Sequence, residues 1–360
     1  ALFGQVEDLI KGKHLLVALG GALTSLPMSV LATERPKDAV PALADYRAIP
    51  WLGTRQPVTV LPSVASLKVL RATAKPSRAG RVLLGVGNPL LEGPDLRYAN
   101  LAKAARDKQS CPKQPTIRQQ PIAMRGTFTS SFQSLFRGAQ ADVQRVRELP
   151  PLPETADELC QIRARLGVPE GDILLGTRAR EADIKELSES GRLADYQILH
   201  FATHGALAGD VKGVAEPGLI LTPPDANGRD AAALDRDDGF LTASEIAALK
   251  LDANWVVLSA CNTAAGAGDH AEALSGMARA FFYAGARALL VSHWAVDSQA
   301  TVALTTRAFE EMTAKPQIGR AEALRLSMKA LIDTGAIWQA HPSQWAPFVV
   351  VGEGAAQPRG

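Results

Sequence analysis

Trp255-Val-Val-Leu-Ser-Ala-Cys261-Asn-Thr-Ala-Ala-Gly-Ala-Gly268 is an apolar run that stops at a cysteine and dissolves into small residues. Rich in β-formers and apolar on both faces, it reads as a central strand of a buried parallel sheet. Cys261 then falls at the carboxyl end of that strand, the edge of an open α/β sheet where ligands bind and chemistry is done. The Asn, Thr, Ala and Gly that follow would leave a thiol uncovered and let a substrate backbone come close.

A second segment has the same design. Asp195-Tyr-Gln-Ile-Leu-His200-Phe-Ala-Thr-His204-Gly205 is another short apolar strand, and it ends in His-Gly. If the two strands are neighbours, His204 and Cys261 meet across one crevice, 57 residues apart in the chain (261 − 204). That interval holds a helix and a connecting strand, which is ordinary α/β spacing. His200 lies inside the strand; four strand residues span about 13 Å, so it cannot share a metal with His204. It reads as a structural histidine.

The strings ILHFATHG and VVLSACNTAAG, followed by EALSGMARAFFYAGARALLVSHWAVDSQAT, together resemble the CHAT domain, a caspase-like domain often attached to TPR repeats and related to separase. LLVALGGALTSLPMSVLA, VTVLPSVASLKVLR and LLGVGNPLL are similar to the amino-terminal half of the same family. The resemblance implies a caspase-like, mostly parallel α/β sheet flanked by helices, with a catalytically empty amino-terminal half. It further implies a cysteine peptidase of the caspase and separase clan, with a His-Cys dyad carried here by His204 and Cys261.

Amide cleavage needs a strong nucleophile, a proton for the leaving amine and donors for the developing oxyanion. Cys261 would supply a thiolate favoured by a nearby imidazolium, His204 the proton, and the backbone N–H groups of Gly205 and Cys261 the donors. In the resemblance, the acidic residue after the WxVD-like segment lines a substrate pocket. Asp297 takes that position, with Trp294 as a wall, and a carboxylate there favours Arg or Lys next to the scissile bond. The same Asp297 could instead cap the helix beginning near Ser298. His293 and Ala295 depart from the commoner Leu-Trp-Pro form. Two other classes compete: a catalytically silent interaction scaffold on the same fold, and a nucleotide-binding domain using Gly85 to Asn88.

Composition narrows the field. At 360 residues, 46% hydrophobic and 21% charged, the chain can bury a sizeable core as one large or two modest domains. A net charge of +2 exerts no global pull toward nucleic acid or membrane. Three cysteines, Cys111, Cys160 and Cys261, form an odd set without metal-like spacing, so unpaired thiols, a reducing compartment and a cytoplasmic location are expected. Lys11, Lys13 and His14 ahead of an apolar run mimic a signal peptide, but Glu7, Asp8, Pro27 and Gly20-Gly21 argue against one. The chain opens without Met; if it is a fragment of a longer protein, the resemblance implies a TPR-containing region or activator outside it.

Along the chain, strands are expected at residues 14–21, 58–61 and 81–86, and a helix at 63–74. Gly85-Val-Gly87 lacks the third glycine and acidic partner of a dinucleotide fingerprint, so a chain turn is the better reading. From Leu91 to Met124 periodicity fades and basic residues accumulate, which places a boundary there: residues 1–112 as an amino-terminal pseudo-caspase-like half, 113–150 as a basic linker and 151–360 as the catalytic half. A single aromatic residue, Tyr98, lies among those charges, too few to stack successive bases, so nucleic acid is not expected as a partner; a protein or peptide substrate is. An acidic loop from Asp225 to Gly239 looks like a calcium loop but has glycine at the fifth position and Ile246 at the twelfth, so no metal or cofactor is expected. Helices are expected at 298–313 and 319–333, and residues 345–351 as a strand closing the sheet.

Overall fold

The computed structural model of the chain describes residues 3–35, 42–73, 77–112, 136–137, 140–206, 216–225, 236–259, 271–294 and 297–356. Its strands in chain order are β1 (Leu15–Val17), β2 (Val58–Val60), β3 (Arg81–Gly87), β4 (Phe136–Arg137), β5 (Gln140–Ala141), β6 (Ile173–Leu175), β7 (Tyr196–Ala202), β8 (Gly205–Ala206), β9 (Gly218–Ile220), β10 (Phe240–Thr242), β11 (Trp255–Leu258), β12 (Ala288–Ser292) and β13 (Phe348–Gly352). Eight of them form one sheet in the order β1-β2-β13-β12-β11-β7-β3-β6. The fold is α/β, as expected, and the only antiparallel junction in this sheet is β12 with β13.

Side chains alternate across this sheet with period two, and each face carries its own helical layer. Leu83, Ile198, Trp255, Val257, Leu290 and Val350 face one core, with Leu159 and Ile162 of the helix Glu154–Leu166 and Leu304 and Phe309 of the helix Ser298–Ala314. Leu84, Leu199, Phe201, Val256, Leu258 and Val291 face the other, with Ile184 of the helix Glu181–Glu189 and Phe281 of the helix Ala271–Ala284. Burial on both faces is why these strands read as continuous apolar runs.

The expected boundary does not divide the sheet. Strand β3, from residues 1–112, pairs in parallel with β7 and β6, both from residues 151–360, and β2 pairs with β13. Neither segment could pair these strands without the other, because an unpaired buried backbone carries a heavy desolvation cost. Strand β13 does not close the sheet either; β2 and β1 lie outside it. The apolar stretch from Leu15 is itself an edge strand, and the region of fading periodicity contains a helix, Ala99–Asp107, seated on Ala102 and Ala105. Most of the expected basic linker lies outside the described residues. No described helix is long and apolar enough to cross a membrane.

The cysteine expectation is corrected. Cys111 and Cys160 are joined by a disulfide with their Cα atoms 5.4 Å apart. The odd count misled, because one cysteine stands apart from a bridged pair whose 49-residue separation has no motif to announce it. With two of the three thiols bridged, nothing in the cysteines favours a reducing compartment. The bridge fixes the helix Glu154–Leu166 to the segment after Ala99–Asp107, where Lys108 Nζ also donates to Asp157 Oδ2 at 2.5 Å.

Closing a loop of that length removes enough freedom from the unfolded chain to stabilise the fold by about 2–4 kcal/mol. Urea denaturation with and without dithiothreitol should therefore show a lower midpoint in reductant. Cys111→Ser should show the same drop and no further response to reductant.

Candidate active site

Strands β12, β11, β7, β3 and β6 run parallel, so their carboxyl ends share one edge. That edge presents Ser292-His293, Leu258-Ser259, Thr203-His204 and Gly87-Asn88 in turn. The chain leaves β3 toward β6 and leaves β7 toward β11, so it diverges beside the end of β7. Ligands of open α/β sheets bind at such a point of divergence.

His204 sits just past β7, where the chain quits the main sheet. Thr203 Oγ1 donates to the Ile220 carbonyl and the Ile220 N–H donates to the His204 carbonyl at 2.9 Å, which turns the chain into the small antiparallel sheet β8-β9-β10. The ring of His204 is buried, with Nε2 2.8 Å from the carbonyl oxygen of Pro150. A carbonyl only accepts, so this contact assigns the proton to Nε2 and leaves the lone pair on Nδ1. A backbone carbonyl in that role has no side-chain signature to read from the sequence. Gly205 opens β8, half-buried and opposite Leu219.

Cys261 lies outside the described residues, which on this segment end at Ser259. The strand leading to it is described and pairs in parallel with β7: Trp255 with Ile198, Val256 with Leu199, Val257 with His200, Leu258 with Phe201. Each of these pairs is 57 residues apart, the same separation as His204 and Cys261.

One residue past that pairing lies a polar cluster that sequence reasoning missed. Ser259 Oγ donates to Glu158 Oε1 at 2.8 Å, and His200 Nε2 is 3.1 Å from both Ser259 Oγ and Glu158 Oε1. All three are buried, Glu158 and His200 completely. His200 Nδ1 has no hydrogen-bond partner among the described residues, so the ring proton belongs on Nε2, where two acceptors converge. The expectation that His200 is structural undersold it: it links β7 to β11 and to the helix Glu154–Leu166.

Asp297 is the N-cap of the helix Ser298–Ala314, its Oδ1 accepting from the N–H groups of Gln299 at 2.9 Å and Ala300 at 3.1 Å. Trp294 is partly buried against the core and its Nε1 donates to the Ser343 carbonyl at 3.3 Å. Beside it His293 is buried at the end of β12, its Nδ1 without a hydrogen-bond partner among the described residues. Burial lowers its pKa to about 4.

The nucleotide reading fails on packing. A Cβ on Gly85 or Gly87 would come within 2.9 Å of Ile173 or 2.7 Å of Leu159, so these glycines exist to let the helix Glu154–Leu166 and β6 close on β3. The Asn88 N–H is taken by Thr155 Oγ1 at 2.8 Å, leaving no cradle for a phosphate. In the acidic loop Asp230 and Asp235 lie outside the described residues. Asp237 pairs with Arg180, and Asp238 accepts from the N–H groups of Ala141 and Phe240. His14 bonds Thr59 and His341 bonds Ser343.

A mostly parallel sheet covered by helices on both faces, with a histidine just past β7 and the adjacent parallel strand leading to a cysteine, defines a protein of the caspase-like α/β type. The CHAT domain profile matches residues 1–353, and the chain belongs to that family. A comparison with curated proteins returned no significant match.

The buried ring of His293 carries a consequence for acid stability. Below about pH 6.5 the unfolded chain protonates this imidazole, whereas the folded chain does so only near pH 4. Stability should therefore fall as pH drops through that window, by on the order of 3 kcal/mol from this group. Urea midpoints at pH 7 and pH 4.5 should differ more for the wild type than for His293→Gln.

Proposed function

We propose that the protein is a cysteine endopeptidase acting on a protein or peptide substrate, with Cys261 as nucleophile and His204 as acid and base. The observation that carries this reading is the register of β7 and β11. Two paired parallel strands with an offset of 57 residues lead toward two residues with that same offset. Family membership supports it, as does the Pro150 carbonyl, which orients the imidazole for proton transfer at Nδ1.

In the reaction, Nδ1 of His204 takes the thiol proton and the sulfur attacks the scissile carbonyl carbon. The C=O π electrons move to oxygen, where the N–H groups of Gly205 and Cys261 stabilise the anion. Collapse expels the amine, which receives the proton from His204, and leaves a thioester. Water, deprotonated by the same ring, hydrolyses it and restores the thiol. Cysteine suits this role because the thiolate is a stronger nucleophile at neutral pH than an unassisted hydroxyl.

Asp297 would select Arg or Lys beside the scissile bond while still capping its helix, and Trp294 would wall the pocket. The disulfide favours a compartment where such bridges persist over the cytoplasm. A TPR-containing region or another activator outside this chain would supply substrate recruitment.

Fluorogenic peptides and an arginyl chloromethyl ketone test the nucleophile. Wild-type protein should cleave and should carry the adduct on Cys261, while Cys261→Ala or His204→Ala should lower kcat/KM roughly a thousandfold or more. Absence of turnover, with Cys261 no more reactive than an ordinary thiol, would instead identify a silent interaction scaffold. Asn caps helices as well as Asp does. Asp297→Asn should therefore keep stability while lowering the preference for Arg over neutral residues; an unchanged preference would leave Asp297 a cap only.

A further inference from the structure

The cluster of Glu158, His200 and Ser259 is more than a satisfied set of buried polar groups. Its members come from the three elements that meet at the candidate site: β7, which leads to His204; the segment after β11, which leads to Cys261; and the helix Glu154–Leu166, whose preceding turn supplies the Pro150 carbonyl. The backbone ladder between β7 and β11 reaches one step further with the Ser259 N–H donating to the Phe201 carbonyl at 3.2 Å. Among the described residues the ladder ends there, and the side chains of this cluster add a second tie between the two strand exits.

A carboxylate with no solvent exposure is costly unless it is hydrogen-bonded, and Glu158 has the Ser259 hydroxyl and the His200 Nε2–H within 3.1 Å of one oxygen. Apolar residues of similar size would fill this space at less cost in desolvation. What they would not do is fix direction: a hydroxyl and an imidazole donating to one carboxylate oxygen hold three backbones at one separation, where packed methyl groups tolerate small slips. The ends they hold lie two residues before Cys261 and four before His204.

We infer that Glu158, through Ser259 and His200, is a positioning residue for the dyad, fixing the distance at which the thiol and the His204 ring are presented. The inference rests on the peptidase reading and extends it to residues that touch neither substrate nor the reacting atoms.

Because Cys111 and Cys160 are bridged, alkylation of the non-reduced protein reports on Cys261 alone. A thiol paired with an imidazole reacts as thiolate well below the ordinary midpoint near pH 8.5. The wild type should therefore show an iodoacetamide rate profile with a depressed midpoint. Glu158→Gln keeps the shape and an acceptor oxygen but removes the charge. Ser259→Ala removes the hydroxyl at little change in volume. In each, the midpoint should move up toward that of a free thiol. Peptide kcat should fall about 100-fold, as misplacement by an ångström does, with KM little changed. Thermal unfolding measured alongside restricts the comparison to folded protein, and the milder Ser259→Ala variant serves if Glu158→Gln does not fold. A wild-type midpoint at the free-thiol value would overturn the dyad itself, and this inference with it. A depressed midpoint that persists in a folded variant with unchanged kcat would overturn the positioning role alone.

Discussion

The parallel pairing of β7 with β11 is the constraint on which the candidate site depends. Every paired residue, Ile198 to Phe201 and Trp255 to Leu258, is buried on its face of the sheet, and their backbones find hydrogen bonds only in neighbouring strands. A slip of one residue would exchange the two faces, driving His200 into the layer of Phe281 and lifting Phe201 toward Glu158. The register is therefore locked by the core, and the segments that leave the two strands start from a common level. Chemistry at that edge inherits its alignment from hydrophobic packing several residues away.

The helix Glu154–Leu166 enforces the rest. Leu159 presses on Gly85 and Gly87 of β3, Thr155 accepts from the Asn88 N–H, Glu158 accepts from Ser259, and Cys160 is bonded to Cys111. The turn before it offers the Pro150 carbonyl to His204. The helix thus touches β3 and the end of β11, and the turn before it reaches the histidine past β7, so the disulfide on the same helix is tied through it to groups on the edge. Asp297 is fixed in direction by its capping bonds from Gln299 and Ala300, at a helix N-terminus where negative charge is favoured.

Much of the architecture could be read along the chain because burial on two faces leaves an unambiguous pattern. Tyr196–Ala202, Trp255–Leu258 and the helices Ser298–Ala314 and Arg320–Thr334 lie where apolar runs and caps placed them. Errors arose where one signal had two physical sources. The amino-terminal strands looked like a separate half because local patterning cannot say whose edge a strand will join. The odd cysteine count looked like reduced thiols because pairing depends on proximity, not number. The helix Ala99–Asp107 was lost among basic residues because only alanines mark its buried face.

What the sequence determined by itself is local and periodic: an α/β protein, strands buried on both sides, and a histidine and a cysteine each following an apolar run. Only the tertiary structure decided which strands are neighbours, that β3 and β7 belong to one sheet across the expected boundary, that Cys111 meets Cys160, and that a backbone carbonyl and a buried glutamate support the edge. The reason is physical. Periodicity records which face of an element is dry, a property of neighbours along the chain, whereas hydrogen bonds to carbonyls, disulfides and strand order join residues tens to hundreds of positions apart and leave no trace in local pattern.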